Sequence, residues 1–322
     1  MSESTEPNPR TVRYMERAFA HDAIQKILVV IDAAATGHPC VEKAARLAMS
    51  YGSALELFIC DIDQDVPPNW AGGTTLARYR GLMRERRIAT LESLASPLRA
   101  RGLHVTTTSE WHASFEEGVV AHAIRTEAGL VLKDRERHPS RSPAPADWVL
   151  IRQLPMPLLL ARPIPWGAHP IVAVSVDPGH PAERPVQLDE LLVDLGCSVS
   201  RALSGNVEVL HVLESPPHLP GDLPSGEAIQ AAHEQQRKAV ERIAGCRHIG
   251  AGETRFLAHP MPEGIVDLVK ESKPAVLVMG VAARQRAGGS VASTASQVLE
   301  QTGCDLLVCK PAGFVSPILV TN

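Results

Sequence analysis

The chain carries one pattern written twice, about 147 residues apart, and this repeat limits the folds it can adopt. A short apolar run ends in Asp32, and a similar run ends in Asp177. His112 is followed four residues later by a glutamate, and His259 is followed by a glutamate at the same spacing. A repeat of this length is a whole domain rather than one turn of a solenoid. We therefore predict two similar domains in tandem.

Each copy alternates short apolar runs with longer amphipathic segments. Five runs per copy are rich in leucine or β-branched residues, as expected for strands buried on both faces of a parallel sheet. The segments between them have helical spacing, for example at Ile88, Leu91 and Leu98. The predicted fold class is α/β, with two tandem doubly wound, Rossmann-like domains that each hold a five-stranded parallel sheet. Two such copies can form a pseudo-two-fold intrachain dimer.

The domain boundaries follow from composition. Residues 1–21 are polar and are predicted to form a flexible N-terminal arm. The first domain is predicted at 22–165 and the second at 166–322. A proline-rich stretch at 162–167 joins them.

Composition excludes several classes of partner. Charged residues make up 21 % of the chain and the formal net charge is −4, so no overall field attracts nucleic acid or an anionic membrane. The locally basic segment 78–87 is typical of the solvated face of a helix, although a nucleic-acid contact there is conceivable. No apolar stretch has the length of a membrane span. We expect no membrane partner and consider nucleic acid an improbable one.

Cysteine and histidine spacing indicates the compartment and argues against a metal. None of the six cysteines falls in a C-x-x-C pair, which favours a reducing cytoplasm over a disulfide framework. None of the 13 histidines has the spacing of a zinc motif. The predicted location is cytoplasmic, and no metal ligands are predicted.

Ligands of open α/β sheets bind beyond the carboxyl ends of the strands, so the residues that follow strands are the candidates. Asp32 and Asp177 each close the first strand of a copy. A carboxylate there can accept hydrogen bonds from an adenine amine or a ribose hydroxyl, or it can bind nearby backbone N–H groups as a turn residue. His112 and His259 follow the third strands. Each can be a turn imidazole held by backbone, a ligand contact or, least favoured, a metal ligand.

The loop after the fourth strand of the second copy has a composition suited to phosphate. It begins at Gly280, is rich in small residues, carries Arg284 and reaches Ser293 and Thr294. Such a loop leading into a helix can present backbone N–H groups to an anion. It lacks the Gly-Lys-Ser/Thr of a Walker A loop, and a flexible solvated loop is the alternative interpretation.

The equivalent loop of the first copy is different. Lys133 stands where the second copy has Gly280, and acidic and basic residues alternate from Asp134 to Arg137. The basic side chains could bind an anion, but the interleaved acids favour a solvated loop. We do not expect this loop to hold a triphosphate.

These features together resemble a known family. A strand ending in Met279-Gly280, a small-residue loop, a Ser293-Thr294 helix start and the run 304–311 are similar to a universal stress protein domain. The resemblance covers nearly the whole chain after residue 22. Lys133 and the Asp147-Trp148 pair in the first copy are similar to the tandem, universal stress protein E branch of that family.

The resemblance implies a phosphate loop with three glycines and a final Ser or Thr. The second copy keeps Gly280, has Ala283 and Ala292 at the other two glycine positions and Ser293 at the hydroxyl, with one residue fewer between them. The implied ligand is ATP or another adenine nucleotide, with Mg²⁺ only if ATP binds. The residues predicted to bind it are Asp177, His259, Gly280, Ala283, Arg284, Ser293 and Thr294 in the second copy, with Asp32 and His112 as their counterparts in the first.

The resemblance also implies a role. We predict a cytoplasmic bacterial stress-response protein that binds a small molecule and acts without catalysis, and no catalytic residues are predicted. The alternatives are a protein-interaction module whose nucleotide site has decayed, or a slow ATPase that requires Mg²⁺. A homodimer is possible, and the sequence identifies no protein partner.

Overall fold

The computed structural model describes residues 24–63, 66–67, 73–135, 145–179, 186–216, 224–281, 285–286, 289–290, 298 and 300–318. The predicted N-terminal arm lies outside these residues. The chain divides into two compact units. The first unit extends to Pro165 and takes in 313–318, and the second is Trp166–Ala312.

The first unit alternates strands and helices. Its elements are β1 (Lys26–Val30), α1 (Pro39–Tyr51), β2 (Ala54–Ile62), α2 (Gly73–Ala100), β3 (Val105–His112), α3 (Phe115–Arg125), β4 (Leu130–Asp134), α4 (Pro145–Gln153) and β5 (Leu158–Ala161). The five strands are parallel and lie in the order β3-β2-β1-β4-β5. The strand order therefore reverses between β1 and β4.

The second unit repeats this order. Its elements are β6 (Ile171–Ser175), α5 (Val186–Ala202), β7 (Asn206–Leu213), α6 (Gly226–Gly245), β8 (Thr254–Ala258), α7 (Glu263–Ser272), β9 (Val276–Gly280), the two-residue strands β10 (Gln285–Arg286) and β11 (Gly289–Ser290), and β12 (Asp305–Cys309). The parallel order is β8-β7-β6-β9-β12. The prediction of a five-stranded parallel sheet in each copy is confirmed.

The helix ends follow from local sequence. In α1, Pro39 occupies the first turn, where its missing N–H is not needed. The helix ends at Gly52, whose φ of 69° is the left-handed conformation that glycine adopts without strain. In α3, the Ser114 hydroxyl caps the amino end by accepting the Glu117 N–H at 3.4 Å. Pro39 and Ser114 thus fix where α1 and α3 begin beyond the carboxyl ends of strands, and Gly52 fixes where α1 ends before β2.

The two units share a buried glutamate in the middle of their second strand. Glu56 in β2 is 5 % exposed and Glu208 in β7 is 9 % exposed. Glu56 accepts from His122 at 2.9 Å and from Thr108 at 2.8 Å. Glu208 instead accepts two hydrogen bonds from Arg255, at 2.7 and 2.8 Å. The two equivalent glutamates thus have different hydrogen-bond partners. A buried charge needs such partners because it has lost its contact with water.

Candidate functional site

Each unit has one place where strand order reverses, between β1 and β4 in the first and between β6 and β9 in the second. Ligands of open parallel sheets bind beyond the carboxyl ends of the strands at such a switch point. The residues that end these four strands are therefore the ones to compare. The two units differ there in charge and in packing.

The switch point of the first unit holds a buried ion pair. Lys133 in β4 is 3 % exposed, and its Nζ lies 3.0 Å from Oδ1 of Asp147, which is fully buried in α4. The same Nζ donates to the Asp134 carbonyl at 3.1 Å. The expectation that Lys133 belongs to a solvated loop is wrong, because a carboxylate 14 residues later draws it into the protein.

The side chain of Asp134, the last residue of β4, lies at the amino end of α1. Its Oδ1 accepts the Cys40 backbone N–H at 2.8 Å. A helix amino end is a natural site for phosphate, because its N–H groups point outward and the helix dipole favours negative charge. Burial raises the pKa of Asp134, although hydrogen bonds from Cys40 act in the opposite direction. The chain's own carboxylate therefore takes the place that a ligand anion would need.

Asp32 behaves as a turn residue. Its side chain is exposed, and Oδ1 accepts the Ala34 backbone N–H at 2.8 Å. This is the Asx turn that was the alternative to ligand binding. The geometry favours that structural role for Asp32.

Among the described residues, the switch point of the second unit has no lysine equivalent to Lys133. Gly280 is the last residue of β9 and stands at the position of Lys133 in the first unit. Because glycine has no side chain, no charged group extends from this position. The next residue, Val281, is buried and donates its N–H to the Cys309 carbonyl at 2.9 Å. The strand end is thus held by backbone alone, which leaves its outer side without a charged group from this position.

The loop beyond Gly280 is described only in part. β10 and β11 pair antiparallel, with Gln285 opposite Ser290 and Arg286 opposite Gly289. Part of the loop backbone is therefore paired within the loop. The predicted residues Ala283, Arg284, Ser293 and Thr294 lie outside the described residues.

Asp177 follows β6 and is half-buried, in contrast to the exposed Asp32. Its backbone N–H donates to Oδ1 of Asp189, a buried residue of α5, at 3.1 Å. A Cβ on Gly179 would lie 3.6 Å from Oδ1 of Asp177 and 3.8 Å from Cγ of Gln236. The strand end, α5 and α6 therefore place Asp177 in a defined position beside the switch point.

Sequence reasoning missed His211 and Gln236, which stand next to this aspartate. His211 is buried at the carboxyl end of β7, with Nδ1 2.9 Å from the Val176 carbonyl and Nε2 3.2 Å from Oε1 of Gln236. The Gln236 amide is fixed by bonds of 3.0 and 2.9 Å to the backbone of Glu214. The position of His211 directly before a strand end was the available signal.

The two predicted histidines lie two strands away from the switch points. His112 ends β3, its Nε2 is 3.2 Å from Oε2 of Glu110, and a Cβ on Gly118 would come within 2.7 Å of its ring. His259 is exposed and its Nδ1 lies 3.2 Å from the Pro260 carbonyl. Neighbouring strands are about 4.8 Å apart, so these rings are about 10 Å from the reversal. The backbone contact of His259 favours the turn-imidazole interpretation, whereas His112 is held by the Glu110 side chain.

Comparison with known proteins bears on this arrangement. Residues 170–310 match the model of the universal stress protein family. Universal stress protein E of Escherichia coli strain K12 is 26 % identical over 317 residues, covering 91 % of this chain and 96 % of that protein. Universal stress protein E of Photorhabdus laumondii is 22 % identical over 307 residues, covering 91 % and 97 %. The second unit thus matches the universal stress protein family, and nine tenths of the chain is similar to full-length universal stress proteins of the E type.

Solved structures agree at the level of the fold. A protein of unknown function from Pseudomonas aeruginosa PAO1 matches with a TM-score of 0.73 at 21 % identity, covering 91 % of this chain and 94 % of that one. A universal stress protein from Archaeoglobus fulgidus matches with a TM-score of 0.65 at 12 % identity, covering 90 % and 99 %. The predicted resemblance to a tandem universal stress protein of the E branch is confirmed.

The described residues contain neither a metal-binding cluster nor a membrane-spanning helix. Within the described ranges, no group of three or more histidine, cysteine or acidic side chains is arranged to hold a metal ion. No helix in that part of the chain combines the length and the apolar character of a membrane span.

Proposed function

We propose that this protein is a non-enzymatic stress-response protein of the bacterial cytoplasm that binds an adenine nucleotide at the switch point of its second unit. The observation that carries the proposal is a difference between equivalent strand ends: β4 has Lys133 where β9 has Gly280. A buried ion pair fills the first switch point, whereas the second ends in a residue with no side chain.

The first unit is a poor host for phosphate. Asp134 already accepts from the amino end of α1, and a ligand phosphate would meet its negative charge there. Lys133 cannot turn to neutralise a phosphate without giving up its ion pair with the buried Asp147. In the first unit, the groups that could contact a phosphate are therefore already bonded to other groups of the protein.

The second unit offers a better site. Asp177 is half-buried, and its backbone N–H is held by Asp189 at the end of β6, where its carboxylate can accept from an adenine amine or a ribose hydroxyl. Gly280 permits close approach of a ligand to the strand end. If the nucleotide is ATP, Mg²⁺ would bind with it.

One observation favours a second candidate function. The pairing of β10 with β11 uses loop backbone that a phosphate cradle would otherwise present to the ligand. On that basis the nucleotide site has decayed, and the protein is an interaction module.

Calorimetric titration of ATP–Mg²⁺ into the full chain separates the two. We expect binding that Asp177→Ala weakens at least tenfold, equivalent to about 1.4 kcal/mol. The matched variant Asp32→Ala should bind as the wild type does, because that side chain only forms a turn. Absence of heat from the wild type would support the interaction module, and loss of binding in Asp32→Ala would place the site in the first unit.

A further inference from the structure

Unpaired hydrogen-bond donors are concentrated at one interface of the first unit, between α2 and the edge strand β3. Five buried side-chain polar atoms of the described residues lack a partner. Three of them are Ser109 Oγ, Trp111 Nε1 and Arg80 Nε. Buried polar atoms in native proteins are nearly always paired, so three together at one interface call for an explanation.

The three groups share one face of the sheet. Ser109 and Trp111 are two residues apart in β3, so their side chains leave the strand on the same side. Arg80 in α2 places its guanidinium 5.6 Å from the centre of the Trp111 ring. Tyr79 meets the same ring edge-on at 6.1 Å. Ser109 is only 2 % exposed. The donors thus lie around the half-buried ring of Trp111, with Ser109 on the inner side and the partly exposed Arg80 on the outer side.

The acidic groups nearby are already engaged. Asp61, opposite Trp111 in the sheet register, accepts from Arg87 at 2.9 Å. Asp63 accepts from the terminal nitrogen of Arg80. Both acids therefore already have a basic partner, and the interface still has donors to spare. A buried donor without an acceptor costs about 1–3 kcal/mol.

The second unit shows that the fold does not require these donors. Ser109 is opposite Ile59 in the register, and the equivalent pair in the second unit is Phe256 opposite His211. A phenyl ring therefore stands in place of the serine, with Arg237 stacked on it at 4.5 Å. No described atom of Phe256 or Arg237 is an unpaired buried donor. Within the described part of the chain, the equivalent place in the second unit therefore has no such group of donors.

We propose that this interface, defined by Ser109, Trp111, Tyr79 and Arg80, is a second ligand site that takes a small carboxylate with an aromatic or apolar body. A carboxylate supplies acceptor lone pairs for a hydroxyl, an indole N–H and a guanidinium N–H. The body packs against Trp111 and Tyr79, whose rings give apolar area with a polar tip. The site belongs to the first unit, two strands from its reversal, whereas the proposed nucleotide site is at the switch point of the second unit.

Benzoate is a suitable probe, and the indole N–H of Trp111 is the reporter. In ¹H–¹⁵N spectra of the full chain, the signal lost in Trp111→Phe identifies this group. We expect benzoate to shift it saturably, whereas benzyl alcohol, which has the ring without the carboxylate, leaves it in place. Ser109→Ala should weaken benzoate binding about tenfold, which corresponds to loss of one hydrogen bond to a charged group.

Two further variants complete the test. Arg80→Lys keeps the charge and removes Nε–H, so it should also weaken binding. Ser93→Ala, on the exposed side of α2, should leave affinity unchanged. The proposal is overturned if benzoate gives no saturable shift, or if it binds Ser109→Ala and Arg80→Lys as tightly as the wild type. Ordered water alone on the three donors in a crystal grown with benzoate would overturn it as well.

Discussion

Lys133 and Asp147 are the residue pair that most clearly separates the two units. Both side chains are buried, and neither can be removed without leaving the other charge in the interior. We expect Lys133→Met to lower the free energy of unfolding by about 3–5 kcal/mol, because the Asp147 carboxylate loses its partner. Urea denaturation followed by circular dichroism measures this.

A double variant and an exposed pair serve as controls for that prediction. Lys133→Met combined with Asp147→Leu should recover most of the loss, because no charge is then left buried. Lys238→Ala breaks an exposed pair with Glu234 and should change the free energy of unfolding by less than about 1 kcal/mol. Equal effects of Lys133→Met and Lys238→Ala would contradict the account of the first switch point.

Glu56 makes the stability of the first unit depend on pH. Burial acts to raise its pKa, but hydrogen bonds from His122 and Thr108 outweigh burial and lower it from 4.5 to about 2. A pKa that is lower in the folded state stabilises the fold at pH values above the unfolded pKa. We expect on the order of 3 kcal/mol of stability to be lost as the pH falls from about 4.5 through about 2.

Urea denaturation across this range, compared with Glu56→Gln, tests that prediction. The glutamine cannot titrate, so the variant should lose less stability than the wild type as the pH falls through the window. Glu234→Gln, on an exposed side chain, should keep the wild-type pH dependence. An unchanged pH profile in Glu56→Gln would show that another carboxylate is responsible.

At the residue scale, the sequence predicted which residues lie at strand ends but not which side chains they contact. Lys133 was recognised as the counterpart of Gly280, because the repeat aligns the two. Its pairing with Asp147 was not predicted, because the side chain could as well have faced solvent, and only packing of α4 on the sheet decides this. Ser109 and Trp111 carried no signal at all, since unpaired donors are visible only once α2 and β3 are placed together.

At the scale of elements, close packing of helices on strands limits what their contact positions accept. Gly196 lies in α5, where an added Cβ would come within 2.2 Å of Cγ2 of Val174 in β6. We expect Gly196→Ala to lower the free energy of unfolding by about 1–3 kcal/mol, because α5 must move away from the strand. Thermal or urea unfolding of the full chain measures the loss.

Gly81 in α2 is the matched control. A Cβ at this position has no heavy atom within 4 Å. Gly81→Ala should raise the free energy of unfolding by about 0.5–1 kcal/mol, since alanine loses less backbone entropy in a helix. If both variants changed stability in the same direction and by the same amount, close packing at Gly196 would not be the cause.

The helices and strands of this protein were more predictable from the sequence than its side-chain contacts. Continuous apolar runs before Asp32 and Asp177 are typical of buried parallel strands, and both runs form the central strands of their sheets. The pairing of β10 with β11 was not predicted, because a loop rich in small residues carries no strand pattern. Hydrophobic periodicity in a sequence indicates which residues are buried. A two-residue strand pair in a loop has no such periodicity and cannot be predicted from it.

At the scale of the whole molecule, duplication has produced two units with the same sheet order and different switch points. The repeat and the family resemblance together predicted the fold, because both depend on pattern over many residues. The ligand was not predictable in the same way, since it depends on a few side chains at one strand end. Internal pairing in the first unit and a bare glycine in the second lead us to assign nucleotide binding to the second.

Mass spectrometry of small molecules released from the purified, undialysed chain tests this assignment most directly, with Gly280→Lys as the comparison. That variant introduces into the second unit the residue found at the first switch point. We predict one adenine nucleotide per wild-type chain and none in Gly280→Lys, provided that its circular dichroism is unchanged. The assignment would be contradicted by a wild-type chain that releases no nucleotide, or by a folded Gly280→Lys variant that releases as much as the wild type.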